Sequence, residues 1–562
     1  MSKIAFASLA LVLATLTVYS SGSWAQAAEL ERSRQIREAR EQERRLQEEL
    51  ERRRSAEDEP VIVDQEQMKD QPVPEGGEAV KVTVTEFVTG DSDILSSAEL
   101  AQILDPLKGK TVTLAELFQA VDRINALYKE KGFLAAKALL PPQTVKGGVV
   151  KIQLVEGRVG SIVVEGNAYT RDSVVISRIQ NRPGELVQLD QLEESLSDFN
   201  IINNVALRAT IKPGETVGTT DYFIQVQEPK RQQGLFFADN SGTDDIGEYR
   251  VGFNYSNNGL LGYLDRFTLG FHAAEGTLSG FSAYDFPINT LGTRMSLLYD
   301  ISAIEIIDGD LEDLNVEGDS WNAGAEIRHP FIVDPDMIVN GFATYYYKSS
   351  STEFDGVQLF DTTVKTLSAG GDVQAFTANG SWYMQHTLTF IDGEDLLEND
   401  DYFRYNLRAN WLHLFANSHS MSVRFSGQAS QDDLLPSSEQ FQIGGAYTVR
   451  GYDEGLLRGD QGYTLSMEYD LPLPFLQSAV GNDPFAGRWR LFTFLDHGGV
   501  FPYKGNNKGT NSDDFLTSLG GGITINLSER LRGRLSLGVP LFSRDDGEDD
   551  PSLHFYLETV AF

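Results

Sequence analysis

The sequence predicts a membrane β-barrel of about sixteen antiparallel strands, preceded by two βααββ units and an N-terminal helix. Three observations lead there. From Gly234 to Phe562, apolar and polar residues alternate with the period of a strand. Phe403, Tyr405, Leu407, Ala409 and Trp411 interleave with Arg404, Asn406, Arg408 and Asn410, and Leu531, Leu535, Leu537 and Val539 oppose Arg532, Arg534 and Ser536. A soluble sandwich would send these arginines to bulk water; a membrane barrel turns them into its lumen. Connections after odd-numbered strands are mostly long and polar, as in Ala303–Asp319, Ser349–Asp361, Ile391–Asp401 and Gly499–Asp514, and those after even-numbered strands mostly short. Outer loops and periplasmic turns differ in this way, although the long Leu471–Gly487 and the short Ala274–Leu278 break the pattern. Finally, an export signal opens the chain, and no later apolar run is long enough for a spanning helix.

The signal occupies residues 1–27: Lys3, an apolar run from Ile4 to Val18, and the small-x-small site Ala25-Gln-Ala27. Residues 28–55 form a helix without Gly or Pro, in which eight Glu and nine Arg over 29–54 nearly cancel. Its apolar stripe (Leu30, Ile36, Ala39, Leu46, Leu50) is too thin for a core. Such a rod is either a solvated helix or a plug in a wet pore, and at ~1.5 Å per residue it is about 39 Å long, enough to thread a bilayer. Residues 56–79, rich in Pro, Gly and acids, read as a linker.

The repeated units cover 80–156 and 157–229. The first reads as a strand at Val80–Phe87, a serine-capped helix at Ser96–Leu104, a helix at Thr113–Lys131, and strands at Leu134–Leu140 and Val149–Val155. The second repeats that order with strands Val159–Glu165, Val205–Ile211 and Asp221–Gln227, and helices near Arg171–Gln180 and Leu189–Phe199. Each has a three-stranded sheet with an open edge. That edge is either a packing feature or an acceptor for an extended peptide by strand addition, at Leu134–Leu140 or Val205–Ile211.

Within the barrel, 230–562, one stretch stands apart. Phe441-Gln-Ile-Gly-Gly-Ala-Tyr-Thr-Val-Arg-Gly-Tyr452 lies in the connection after strand eleven, and Gly444, Gly445 and Gly451 allow an inward fold, placing an inward loop at 431–461. Its partner is Phe494-Leu-Asp-His-Gly498, where Phe494, Asp496 and Gly498 share one face of a strand. Arg450 can then fork Asp496 and pin the loop inside the pore. In a wet lumen, losing that pair costs less than the about 3–5 kcal/mol of a buried one.

Composition excludes several functions. Eighty-two acidic against 47 basic residues give a formal charge of −35, the wrong sign for a nucleic-acid partner. There is no cysteine, hence no disulfide, cysteine metal site or thiol nucleophile. Gly109-Lys-Thr111 lacks the glycine a phosphate loop needs at Leu104, there is no His-Glu-x-x-His or Gly-x-Ser-x-Gly, and the acidic loops lack EF-hand spacing. The expectation is a non-enzyme with no catalytic residue, cofactor or metal.

The two repeats, the preceding helix and linker, and the pair Ile443-Gly-Gly and Val449-Arg-Gly-Tyr452 with Phe-x-Asp-x-Gly resemble the TpsB transporters of two-partner secretion, the FhaC/ShlB/HecB type. These belong to a superfamily of POTRA-barrel proteins that includes BamA, whose chains have more repeats and no such helix. The resemblance implies a sixteen-stranded outer-membrane barrel with the helix in its lumen, and POTRA-like repeats in the periplasm. They would receive a dedicated exported TpsA-type protein of the haemolysin, haemagglutinin or adhesin kind, secreted unfolded and in some cases activated. Outer-membrane lipid and the barrel-assembly machinery are the other implied partners. An insertase or a passive diffusion channel are the alternatives. In the last strand Val560 and Tyr556 fit the family's pattern of alternate apolar residues and Glu558 departs from it.

Overall fold

The computed structural model describes residues 29–38, 40–41, 62–65 and, from residue 80, all but 217, 310–311, 395–398, 417, 432–434, 474–488, 502–513, 527, 529 and 543–549. The expected export signal, the later part of the charged helix, most of the linker, and most of the connections Leu471–Gly487, Gly499–Asp514 and Asp545–Asp550 lie outside those residues. The chain divides into two compact units, Asp58–Pro229 and Met1–Glu57 with Lys230–Phe562. Its first elements are a helix, α1 (29–38, resuming at 40–41), and a four-residue strand, β1 (Ile62–Gln65).

The first module of the unit Asp58–Pro229 holds β2 (Lys81–Thr83), β3 (Glu86–Thr89), α2 (Ser97–Leu104), β4 (Thr111–Thr113), α3 (Leu114–Glu130), β5 (Ala136–Leu139) and β6 (Val149–Glu156). Both helices start on a capping box. The Ser96 and Thr113 side chains accept the N–H of Glu99 and Glu116, and those carboxylates accept the cap N–H groups at 2.8 and 2.7 Å. On α3, Leu117, Val121, Ile124 and Tyr128 fall on one face and pack against Val84, Ala136, Ala138, Val150 and Ile152. The strand expected over Val80–Phe87 is two strands. At Val84–Thr85 the chain changes partner, with Val84 N–H bonded to Lys110 and Thr85 N–H to Gly148, so β2 pairs β4 and β3 pairs β6.

The second module has β7 (Arg158–Glu165), α4 (Asp172–Arg178), α5 (Leu189–Ile202), β8 (Ala206–Pro213) and β9 (Thr219–Gln227). Neither of the expected open edges is bare. The linker strand β1 lies parallel on β8, with Ile62 opposite Ala209 and Gln65 opposite Ile211, so the second sheet runs β1-β8-β9-β7. One rung earlier, Asn200 from α5 takes the outward peptide of Leu207: its Oδ1 accepts the Leu207 N–H at 2.7 Å and its Nδ2 donates to the carbonyl at 2.9 Å. The first module repeats the device at β5, the edge of the order β3-β6-β5, where Asn125 of α3 binds the Ala138 N–H at 2.7 Å and carbonyl at 3.3 Å. A side-chain amide supplies both halves of a backbone rung, one acceptor and one donor, and a capped rung resists stray pairing.

The barrel closes sixteen strands: β10 (Gln232–Asp239), β11 (Arg250–Asn258), β12 (Arg266–Ala274), β13 (Thr277–Pro287), β14 (Arg294–Glu305), β15 (Val316–Asp334), β16 (Met337–Phe354), β17 (Val357–Thr377), β18 (Gly380–Glu394), β19 (Asn399–Leu414), β20 (Ser420–Ser430), β23 (Gln461–Pro472), β24 (Trp489–Phe501), β25 (Phe515–Asn526), β26 (Leu531–Pro540) and β27 (Ser552–Val560). A small hairpin, β21 (Phe441–Ile443) with β22 (Leu457–Gly459), lies between β20 and β23. Alternation puts Leu491 and Leu495 outside at 42 % exposure each and buries Phe492, Phe494 and Asp496 inside. In β27 the same alternation turns His554 and Tyr556 inward, and the Glu558 carboxylate accepts the Tyr556 hydroxyl at 2.8 Å. The departure at Glu558 is thus a lumen residue with a local partner.

The loops expected over Ser349–Asp361 and Ile391–Asp401 are mostly strand. β16 and β17 meet in a two-residue turn, Asp355-Gly356, with φ of 47° and 75°, and β18 continues to Glu394. The inner face of these extensions is covered, Thr352, Val364 and Ile391 being buried and the last two packing with Leu435, yet their Ser-, Thr- and acid-rich stretches read as loop.

In the first module, Lys131 and then the Ser96 hydroxyl and N–H hold the Glu99 carboxyl down to about 2; Lys131 Nζ lies 2.8 Å from Oε1. A depressed folded-state value means that the contribution exists above the ordinary 4.5 and is lost as pH falls through about 2. Carboxyl NMR of Glu99 is expected to give a midpoint near 2, rising towards 4.5 in Lys131→Met; a wild-type midpoint at 4.5 contradicts the pairing.

Candidate functional site

The connection after strand eleven folds into the lumen, as the glycines require. Gly444, Gly445 and Gly451 have φ of 110°, 98° and 97°, in the region that only glycine adopts freely. Space demands glycine as well: a Cβ on Gly444 would strike the Asp453 carbonyl, one on Gly445 the Glu454 carboxylate, and one on Gly451 would lie 2.8 Å from the Gly538 carbonyl carbon of β26. Ile443, Val449 and Tyr452 join Phe441 in a buried cluster with Val500 and Leu516 of the wall. Val449 sits over Gly498, where a Cβ would come within 3.1 Å of it. Tyr452 Oη donates to the Thr517 carbonyl at 3.0 Å.

Arg450, at the tip, meets Asp496. Its Nε and Nη2 donate to the two carboxylate oxygens at 2.7 and 2.9 Å, and its own N–H adds a third bond at 3.1 Å. The guanidinium lies over the Phe494 ring, 3.5 Å from its centroid. The structure thus brings Arg450 onto Asp496 and Phe494 and Val449 onto Gly498, with Ile443, Gly444, Gly445, Gly451 and Tyr452 in the loop that carries them. The pair is dry: Asp496 is 0 % exposed and Arg450 3 %. The discount expected for a wet lumen does not apply.

Sequence reasoning missed the far half of the network. Arg450 Nη1 donates to Glu468 of β23 at 2.6 Å, and Nη2 reaches Ser466 at 3.3 Å. Glu468 is also held by Arg534 of β26 at 2.6 and 2.7 Å, and Arg534 stacks on Phe492 at 3.8 Å. Two arginines therefore rest on two phenylalanines of one strand, with Glu468 between them. Its signal was faint: Ser466 and Glu468 share a strand face, but placing that face beside Asp496 needs the β23–β24 register, in which Ser466 opposes Asp496.

The helix α1 occupies the lumen, held to several strands of the wall by charge pairs. Arg37 donates to Asp300 of β14 at 2.7 Å and Arg40 to Asp239 of β10 at 2.9 Å. Glu31 accepts from Lys348 of β16 at 3.3 Å and Glu38 from Arg408 of β19 at 2.9 Å. Several wall groups keep a second partner without the helix. Asp239 also holds Arg250 at 2.8 Å, and Lys348 also holds Glu439 of the inward loop at 2.5 Å. Leu30 and Ile36 are the buried apolar side chains among the described residues of α1.

Comparison with known proteins places this arrangement. The family described as "Haemolysin secretion/activation protein ShlB/FhaC/HecB" matches residues 218–525, and the ShlB-type POTRA domain matches residues 82–157. The chain belongs to this family. The heme/hemopexin transporter protein HuxB of Haemophilus influenzae is 24 % identical over 498 residues, 83 % of this chain and 85 % of that one. The outer membrane transporter CdiB of Escherichia coli is 22 % identical over 513 residues, 87 % and 84 % of the two chains. The structure of CdiB from Escherichia coli superposes with a TM-score of 0.64 at 18 % identity, covering 94 % of this chain and 98 % of that one, a likeness of fold. The family member described here is an outer-membrane two-partner secretion protein whose POTRA domains are periplasmic.

Arg450→Ala leaves a fully buried Asp496 without its guanidinium, a loss of about 3–5 kcal/mol. The barrel is expected to stay folded and heat-modifiable while the inward loop 435–460 becomes cleavable by protease added to intact cells. A loop as resistant as in the wild type refutes the pairing as its anchor.

Proposed function

We propose that this chain passes one dedicated exported protein, unfolded, through a pore that α1 closes at rest. The observation that carries this reading is the way the helix is held. It sits in the lumen by charge pairs to several strands of the wall, with two buried apolar side chains among its described residues. Water and a passing polypeptide can replace such contacts, whereas a hydrophobic core could not be exchanged so cheaply. Two of these wall groups, Asp239 with Arg250 and Lys348 with Glu439, keep a second partner when the helix goes. A channel for steady diffusion has no use for a helix seated in this way.

In this reading the chain divides into a removed signal (1–27), a plug (28–55), a tether (56–79), two receiving domains (80–156 and 157–229) and a pore (230–562) whose inward loop is anchored by Arg450 on Asp496. The barrel-assembly machinery inserts it. The tether has a second role, because its strand β1 covers the β8 edge at Ala209–Ile211, where an incoming extended segment would add. Cargo and β1 then compete for one edge, and displacing β1 pulls on the segment that leads to the plug. The relatives HuxB and CdiB are named as transporters, in keeping with a cargo that is itself exported.

The deciding experiment is co-expression with the exported protein encoded beside this one. Cargo is expected in the medium with the intact chain and absent from it when residues 80–228 are removed; release without them would refute the receiving role. Replacing residues 62–65 with proline removes the N–H donors of a few backbone hydrogen bonds worth about 1 kcal/mol each. Capture of the purified N-terminal part of the cargo is then expected to tighten about tenfold. Unchanged capture would show that β1 is not a competitor.

A further inference from the structure

A barrel closes where its first strand meets its last, and that junction is the shortest ladder here. β10 and β27 share five residue pairs, Leu235–Asp239 against Tyr556–Val560, whereas β16 and β17 share eighteen. Beyond the ladder, at its outer end, Asn240 bonds the Leu553 carbonyl and the Phe555 N–H, each at 2.8 Å. Inside the lumen, the last ladder pair is Asp239 with Tyr556. Arg40 of α1 sits on that pair. Its Nη2 donates to Asp239 of the first strand at 2.9 Å, and its guanidinium lies 4.1 Å from the ring of Tyr556 in the last strand. It is also within 5.8 Å of Phe237, next inward on the first strand, and its Nε donates to the Tyr447 hydroxyl of the inward loop.

We infer that Arg40 is a positioning residue that fastens the barrel's seam, so that departure of the plug and loosening of the first–last strand junction are one event. The inference rests on reading α1 as a helix that leaves the lumen. One guanidinium ties together four separate pieces of chain: the plug, the first strand, the last strand and the inward loop. The pair it bridges is the one at which the short ladder ends. Arg37, three residues earlier, makes a comparable pair with Asp300 and stacks on Phe281, but both lie on strands away from the seam. The helix therefore touches the wall in two ways. Arg37 holds helix to wall, and Arg40 holds wall to wall through the helix. When the helix goes, Asp239 keeps Arg250, so the first strand stays neutralised, but the cation joining it to Tyr556 is lost. The seam is then left to its five pairs, the Asn240 clasp at one end and the Gly234 backbone bonds to Ala561 and Phe562 at the other.

Hydrogen exchange on the full-length protein in lipid nanodiscs tests this. In Arg40→Ala, peptides covering 233–240 and 553–561 are expected to exchange about tenfold faster, as loss of a desolvated ion pair and ring contact implies, while peptides from 340–350 of β16 do not change. Tyr556→Leu, which spares the Asp239 pair, is expected to accelerate the same two peptides, and Arg40→Lys to restore part of the protection. Arg37→Ala is expected to leave the seam as in the wild type. Equal acceleration by Arg37→Ala, or none by Arg40→Ala, overturns the role given to Arg40. Conductance of the same samples in planar bilayers reports separately on the plug. A seam that loosens without a rise in conductance would sink the plug reading and not the fastening of the seam.

Discussion

A guanidinium shut away from water has to find carboxylates, and Arg450 finds two. With Asp496 on one side and Glu468 on the other, it is neutralised within the wall of the barrel, and the loop that carries it cannot leave without abandoning a charge in a dry site. The rest of the lumen depends on that arrangement. The loop brings Glu439 to Lys348 and Arg404, so it supplies part of the surface against which the helix rests. It also presents Tyr447 to Arg40. Without the anchored loop, the helix would face a wider pore and fewer partners.

Loop and helix fill the same cavity by different physics. The loop adds an apolar cluster, Phe441, Ile443, Val449 and Tyr452 on Val500 and Leu516, to its charge network, and burial of such side chains is worth roughly 1.5–3 kcal/mol each. The helix relies on charge pairs that range from half-exposed, Glu38 with Arg408, to buried, Glu31 with Lys348, polar contacts that another polar group can take over. One filler is built to stay and the other to be exchanged. That distinction follows from side-chain chemistry and needs no appeal to flexibility.

The sequence made the barrel legible because lipid on one side and a polar lumen on the other enforce a period of two over hundreds of residues. It also made the lock legible from both ends: three glycines around one arginine, and an aspartate sharing a strand face with Phe494 and Gly498. Glu468 and Arg534 were out of reach, since which inward residues meet depends on how each strand is staggered against the next, and alternation within a strand is silent on stagger. The tall hairpins were misread because their Ser-, Thr- and acid-rich stretches lose the alternation, although Leu435 packs on their inner face at Val364 and Ile391. The capping of the module edges was missed for another reason. Ile62–Gln65 is too short to stand out from an acidic, proline-rich stretch, and an asparagine on a helix does not announce that it will fill a backbone rung.

The strands are far from equal in length, and this gives the wall uneven compliance. β15, β16 and β17 have 19, 18 and 21 residues, against eight in β10 and nine in β27. At ~3.4 Å per residue the longest strand is about 70 Å, more than twice what a bilayer core requires. Every rung resists shear, so that flank behaves as a stiff plate, and a radial load is taken up by the short flank opposite. A barrel of this build does not dilate evenly like a hoop. It yields like a cuff with one rigid panel, and the strain of passing a bulky segment concentrates where the fewest rungs share it.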